Sequence, residues 1–352
     1  MKILILGGTG AIGKQVVDIL SQDQDKLVYV TSRATHENTN QIQYLKGNAR
    51  DEAFLLGILE NSFDAIIDFM SYTTEEFSRR IDKLLSATKQ YIFMSSSRVY
   101  SNDYPIRNNS LRLLDTCKDD EYLKTDEYAL TKARQEDFLK ESNSTNWTIV
   151  RPYITYSQDR LQLGILEKEE WLYRLLHGRT VVLPEPMMKK KTTLTSGQDV
   201  ARFIVSITGA SDALAKTFHV TTNNSCTWED VWSIYSDTIQ KELGIKPRVK
   251  YLTTEKFCKC IQEPRKYQLL YDRFYDRVFD NSEIDSFIDI NKFAPPSQGL
   301  SQCLSSFLKK PVFKGIKWEF EAKKDKYTNE YAKISELGGI KRYLRYLYTK
   351  NL

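Results

Sequence analysis

Histidine is scarce in this chain of 352 residues: His36, His177 and His219 stand far apart, too few for a histidine-based metal centre or a serine–histidine–aspartate triad. The five cysteines (Cys117, Cys226, Cys258, Cys260, Cys303) are odd in number and scattered, as expected of a chain in a reducing compartment. Their one close pair, "CKC" at 258–260, lacks the spacing of the usual zinc ligands, so no metal is expected. No apolar run approaches the roughly 18 residues that a bilayer-spanning helix needs. The chain opens on a strand-like run and not on a charged-then-apolar leader, so a reducing, cytoplasmic setting is expected and the "NWT" at 146–148 carries no glycosylation meaning. Internal repeats and long Gly/Ser/Pro linkers are missing too.

What is present is the composition of a folded protein, with 41% hydrophobic, 12% aromatic and 28% charged residues. The length accommodates two domains, or one large domain with an appended lobe. The net charge of +5 permits an anionic ligand without demanding nucleic acid.

The opening "MKILILGGTGAIGKQVVDIL" reads as a buried strand, a glycine-rich turn and a helix whose apolar positions Ile12, Val16, Val17 and Leu20 recur at helical spacing. Gly7, Gly10 and Gly13 form a G-x-x-G-x-x-G run: one for a tight turn, one for backbone approach to a pyrophosphate, one for close helix–strand packing. The phosphates of a dinucleotide would meet the helix amino terminus, where unpaired N–H groups and the dipole favour negative charge. A second strand, "KLVYVTSR", delivers Thr31, Ser32 and Arg33 to the adenosine ribose. An acid there would select NAD; its replacement by Arg33, suited to a 2′-phosphate, tilts the expectation slightly to NADP, with NAD kept open.

Alternation of strand and helix continues through "FDAIIDFMSY", "QYIFMSSSRVYS" and "WTIVRPYITYS", which predicts an α/β doubly wound parallel sheet over 1–157. Residues 158–352 are less regular and are expected to form mainly a smaller, mixed substrate-binding lobe, with part of 190–222 returning to the sheet. "SCTWEDVWSIYSDTIQKEL" reads as a helix begun by a Ser/Thr cap with Glu229 nearby.

In "YALTK", Tyr128 and Lys132 are four apart on one helical face, and Ser96 lies 32 residues upstream of Tyr128, after the strand "YIFM". Glycine triplet, serine, Y-x-x-x-K and then "RPY" after another strand: this order resembles the extended short-chain dehydrogenase/reductases, and within them the NAD-dependent epimerase/dehydratase group that modifies nucleotide sugars, atypical members included. "TLTSGQDVARFIV" is similar to a further family segment. The resemblance implies a Rossmann fold, with Tyr128, Lys132 and Ser96 catalytic and Gly7, Thr9, Gly10, Ala11, Ile12, Gly13, Ser32, Arg33, Asn48, Tyr128 and Lys132 around NAD or NADP. A free phenol has a pKa of about 10, and a nearby cation favours its anion, so Tyr128 is expected to act as general base or acid. Ser96 is chosen over Ser95 and Ser97 from its place three before Val99, with Ser97 the fallback.

The departures narrow the reaction. Family 4,6-dehydratases carry an Asp–Glu pair just after the active residue, whereas Ser97 and Arg98 stand here, which disfavours dehydration. Ile154 replaces the family asparagine of "RPxN", and Asp68 and Met70 occupy a segment where epimerases usually differ. Lys189, Lys190 and Lys191 stand near where the family grips a diphosphate and are read as a solvated loop. The expected function is a nucleotide-sugar epimerase or keto-sugar reductase, with a non-catalytic binder of RNA or protein as the alternative; no nucleic-acid partner is required and a homodimer is possible. The closing "GIKRYLRYLYTKNL" aligns Ile340, Tyr343, Leu344, Leu347 and Tyr348 on one stripe, opposite Lys341, Arg342 and Arg345, and is expected to pack on its own domain or across a dimer, with an acidic membrane as the alternative.

Overall fold

A computed structural model describes residues 1–351. Seven parallel strands make the central sheet: β1 (Lys2–Leu6), β2 (Leu27–Ser32), β3 (Ile42–Lys46), β4 (Ala65–Asp68), β5 (Tyr91–Met94), β6 (Trp147–Pro152) and β7 (Lys216–Val220). Their order, β7-β6-β5-β4-β1-β2-β3, reverses direction between β1 and β4. At such a switch point the crevice above the carboxyl ends of the strands is open to a ligand.

The near-continuous apolar runs of β1, β4 and β5 follow from burial on both faces of the sheet. One face packs Ile3, Ile5, Val28, Val30 and Ile92 beneath helix α1 (Ala11–Leu20) and a helix over Gly197–Ile207. The other packs Leu4, Leu6, Ile66, Tyr91 and Phe93 beneath α2 (Glu52–Leu59), the Phe77–Leu85 segment and Leu139 of α3 (Tyr128–Glu141). This is the doubly wound Rossmann arrangement that the alternating pattern predicts.

The chain divides into two units: 1–157 with 193–224 and 278–296, and the remainder of the chain. The return of 278–296 to the first unit departs from the sequence-based expectation, which placed it in the lobe. Ile284, Ile290 and Phe293 explain it, because they complete the core on the α1 face. Short 3-10 turns carry these residues, so no helical or strand period marked them.

In the second unit, α4 (Trp228–Leu243) starts with a capping box in which Thr227 and Asp230 serve each other's backbone N–H groups; the partner is Asp230, not Glu229. Arg174 and Arg179, both buried, are neutralised by Glu321 and Asp325 of α5 (Trp318–Thr328), with Arg174 at 2.9 and 2.8 Å from them. The last helix, α6 (Ile340–Asn351), turns Tyr346 inward, with Tyr343 and Leu347 beside it, and leaves Ile340, Leu344 and Tyr348 exposed. The expected single apolar stripe is therefore split, because Tyr346 has a polar anchor: its hydroxyl donates to Asp325 Oδ2 at 2.6 Å. No helix among the described residues is long and apolar enough to cross a membrane.

Candidate active site

The glycine turn lies at the carboxyl end of β1, and its glycines do different work. Gly7 has φ +73°, a left-handed conformation that suits glycine, and its N–H donates to Thr31 Oγ1 at 3.1 Å, tying the turn to β2. A Cβ on Gly13 would stand 2.8 Å from Gly8 Cα, so helix and turn touch only because both lack side chains. Gly8, which the sequence reading left out, is equally confined, with Val30 Cγ1 2.7 Å from its would-be Cβ. Gly10 differs: its added Cβ would meet nothing nearer than the Gly7 carbonyl at 3.5 Å. No group among the described residues requires a glycine there, and Gly10 is exposed, which leaves room for a ligand to approach the backbone.

Gly10 also caps α1 without a side-chain acceptor, and no acid occupies the first turn. The first N–H groups of α1 and its positive dipole end are thus left to an anion. Thr9, Ala11 and Ile12 continue this cradle, with Ile12 anchored against the core. The chemistry of the donor set fits a dinucleotide pyrophosphate.

At the far side of the turn Thr31 is spent on Gly7 and Ser32 is buried, its Oγ 2.9 Å from His36 Nε2. His36 in turn stacks on Tyr44, with ring centroids 4.5 Å apart. The Gly47 N–H donates to the Ser32 carbonyl at 2.8 Å, which brings the turn carrying Asn48 beside Ser32; Arg33 and Asn48 are exposed. No carboxylate stands between Thr31 and Ala34.

Tyr128 opens α3 and is 42% exposed, whereas Lys132, one turn on, is 3% exposed. Glu127 caps the helix by accepting the Ala129 N–H at 2.9 Å and binds Arg98 Nη2 at 2.6 Å. The Arg98 guanidinium consequently lies 5.4 Å from the centroid of the Tyr128 ring. Lys132 Nζ lies 4.5 Å from the centroid of Phe93. Burial pushes the Lys132 ammonium down to about 8, while the Asp68 and Glu136 carboxylates work in the other direction.

Asp68 ends β4 in register with Leu6, beside the glycine turn. Burial raises its carboxyl above the ordinary range, against the Met70 N–H and the Tyr91 hydroxyl, which donate to it at 2.8 Å each, and against the Lys132 charge. Sequence reasoning noted Asp68 only as a departure and missed its link to Lys132. A carboxylate ending an otherwise apolar strand was the available signal.

The three serines after β5 have separate fates. Ser95 donates to Glu136 Oε1 at 2.5 Å, and Ser97 donates to the Arg151 carbonyl at 2.7 Å. Ser96 accepts the Arg98 N–H at 3.2 Å and caps the short 3-10 turn Ser97–Val99, which packs against α3. Its hydroxyl proton donates to no other group among the described residues, so Ser96 alone of the three is free to donate to a reacting oxygen. In the second unit Lys189 and Lys191 are exposed, and Lys190 is partly so.

The description "NAD dependent epimerase/dehydratase family" matches residues 3–217. The chain belongs to this family. Solved structures of similar fold include the Bordetella bronchiseptica enzyme WbmH with NAD+, at 13% identity and TM-score 0.64 over 88% of this chain and 99% of that one. The UDP-N-acetylglucosamine 4-epimerase of Methanobrevibacter ruminantium with UDP-N-acetylmuramic acid is 18% identical, with TM-score 0.65 over 88% and 98%. The dTDP-glucose 4,6-dehydratase of Bacillus anthracis with NAD is 15% identical, with TM-score 0.64 over 88% and 97%. At these identities the likeness shows a shared fold. A comparison with curated protein sequences gives no match.

Proposed function

We propose that this family member is an NAD(P)-dependent epimerase or keto-sugar reductase acting on a nucleotide-activated sugar. The observation that carries the reading is the grouping on α3 and the turn packed against it: an exposed Tyr128, a buried Lys132 one turn on, and Ser96 with an uncommitted hydroxyl.

Tyr128, as phenolate, takes the proton of a sugar hydroxyl as that carbon becomes a carbonyl, and returns it in the reverse step. Ser96 donates a hydrogen bond to the same oxygen. Lys132 supplies a positive charge along the helix face from Tyr128, toward the ribose of the cofactor, and Arg98 adds a second charge at the ring. The nicotinamide, when bound, accepts and donates the hydride. An epimerase would keep that cofactor through the cycle, and a reductase would exchange it.

Arg98 and Ser97 stand where a dehydratase needs carboxylic chemistry to expel water, which supports epimerisation or reduction over 4,6-dehydration. The exposed Arg33 and the lack of an acid after β2 support acceptance of the 2′-phosphate of NADP as well as NAD. Native mass spectrometry, followed by denaturation and identification of released nucleotide, tests the cofactor assignment. Retained or readily bound NAD(H) or NADP(H) is expected, and failure to take up either added cofactor would overturn the enzyme reading.

A further inference from the structure

Helix α6 has two faces with different requirements. Tyr346 is anchored by Asp325 and by the Ala332 N–H, and Lys350 lies 3.6 Å over the Tyr331 ring, so this side is fixed against its own unit. The opposite side carries Ile340, Leu344 and Tyr348, four residues apart, at 68, 61 and 68% exposure. Lys341 and Arg345 flank this stripe and Arg342 lies further round the helix; all three are exposed and make no ion pair among the described residues. The helix contains no acid.

The charge is regional as well as local. Residues 309–351 hold 12 Lys and Arg against 5 Asp and Glu, a net +7 that exceeds the +5 of the whole chain. The acids of this segment are engaged: Glu321, Asp325 and Glu336 with Arg174 or Arg179, Glu330 with Arg248, and Glu319 with Lys323.

We propose that the exposed face of α6 docks on an anionic membrane surface. Apolar side chains in one stripe beside unpaired bases are what an interfacial helix presents, with the stripe at the acyl boundary and the bases among anionic headgroups. A second copy meeting this face about a two-fold axis would bring like charges together without an acid to offset them. A nucleic acid would use the bases and leave Ile340 and Leu344 without a counterpart.

The test is co-flotation of the full chain with vesicles of phosphatidylglycerol mixed with phosphatidylcholine, and with vesicles of phosphatidylcholine alone. The chain floats with the anionic vesicles only, and added salt weakens the association. The double variant Leu344→Asp/Tyr348→Asp and the double variant Lys341→Glu/Arg345→Glu each lower the bound fraction by about tenfold or more, on the order of fivefold per lost base. Because all four side chains are exposed, their thermal midpoints stay near the parent value. Wild-type protein that ignores anionic vesicles, or that binds phosphatidylcholine equally well, would overturn the proposal. So would a Leu344→Asp/Tyr348→Asp variant that floats like the parent, or one whose measured change is loss of a dimer in light scattering.

Discussion

The guanidinium of Arg98 lies 5.4 Å from the centre of the Tyr128 ring while its Nη2 is held at 2.6 Å by Glu127, the residue that caps the helix Tyr128 begins. One carboxylate therefore sets both the start of the helix and the position of the cation beside the phenol. Arg98→Ala is expected to lower kcat about tenfold or more, by removing a charge that favours the phenolate, with KM for cofactor little changed. Steady-state kinetics of Arg98→Ala beside Arg98→Lys measures this, and partial recovery in the lysine variant marks the charge as the cause.

On the proposed reading, Lys132 is expected to make cofactor binding pH-dependent. Its ammonium is held down to about 8, so the charge proposed to face the ribose is present below that pH and lost as pH rises through it. Cofactor affinity is expected to fall across that range in the parent and to be weak and flat in Lys132→Met. Asp68 and Glu136 are the carboxylates that sustain the charge, and Asp68→Asn should move the midpoint to lower pH. Calorimetric titration of cofactor between about pH 7 and 9.5 reads both effects.

The glycines separate stability from binding. Gly13→Ala is expected to cost about 2 kcal/mol, since its Cβ would press on Gly8 Cα at 2.8 Å. Gly10→Ala should leave the stability within about 0.5 kcal/mol of the parent yet weaken cofactor binding about tenfold or more, because its Cβ would meet only the Gly7 carbonyl, at an ordinary 3.5 Å, but would stand in the way of the proposed pyrophosphate. Urea denaturation and cofactor titration of the two variants check this contrast.

His219 sets an acid limit. It is buried, its Nε2 is 2.7 Å from the Asp280 carbonyl and its Nδ1 3.2 Å from the Tyr100 hydroxyl, a neutral ring donating at one nitrogen and accepting at the other. Burial, with the Arg151 charge, pushes its pKa down to about 4. Above about pH 6.5 the ring is neutral in both states; as pH falls from there to about 4 only the unfolded chain takes the proton. Stability therefore falls over that window, by up to about 3 kcal/mol. Denaturation of His219→Gln should lack this share of the acid loss.

Much of this arrangement was legible because it is local. The doubly wound sheet followed from apolar runs four to six residues long alternating with helical periods, and the Gly7, Gly10 and Gly13 spacing marked the turn. The chain order of Ser96, Tyr128 and Lys132 marked them as candidates, whereas the separate hydrogen bonds of Ser95, Ser96 and Ser97 were not legible, since Glu136 and the Arg151 carbonyl lie far along the chain. Asp68 beside Lys132 and the return of Ile284, Ile290 and Phe293 are contacts at long sequence separation without any period to announce them. On α6 the stripe was visible, but which half of it faces inward was decided by Asp325 through Tyr346.

The central claim is that Tyr128 moves a proton while a nicotinamide moves a hydride on a nucleotide sugar. Its most direct test is turnover of a panel of UDP-, dTDP- and GDP-sugars, with nicotinamide absorbance and sugar stereochemistry followed together, in the parent and in Tyr128→Phe. At least one sugar is expected to be epimerised or reduced by the parent, with Tyr128→Phe slower by about a hundredfold or more while still binding cofactor. A Tyr128→Phe variant that works at the parental rate would contradict the account.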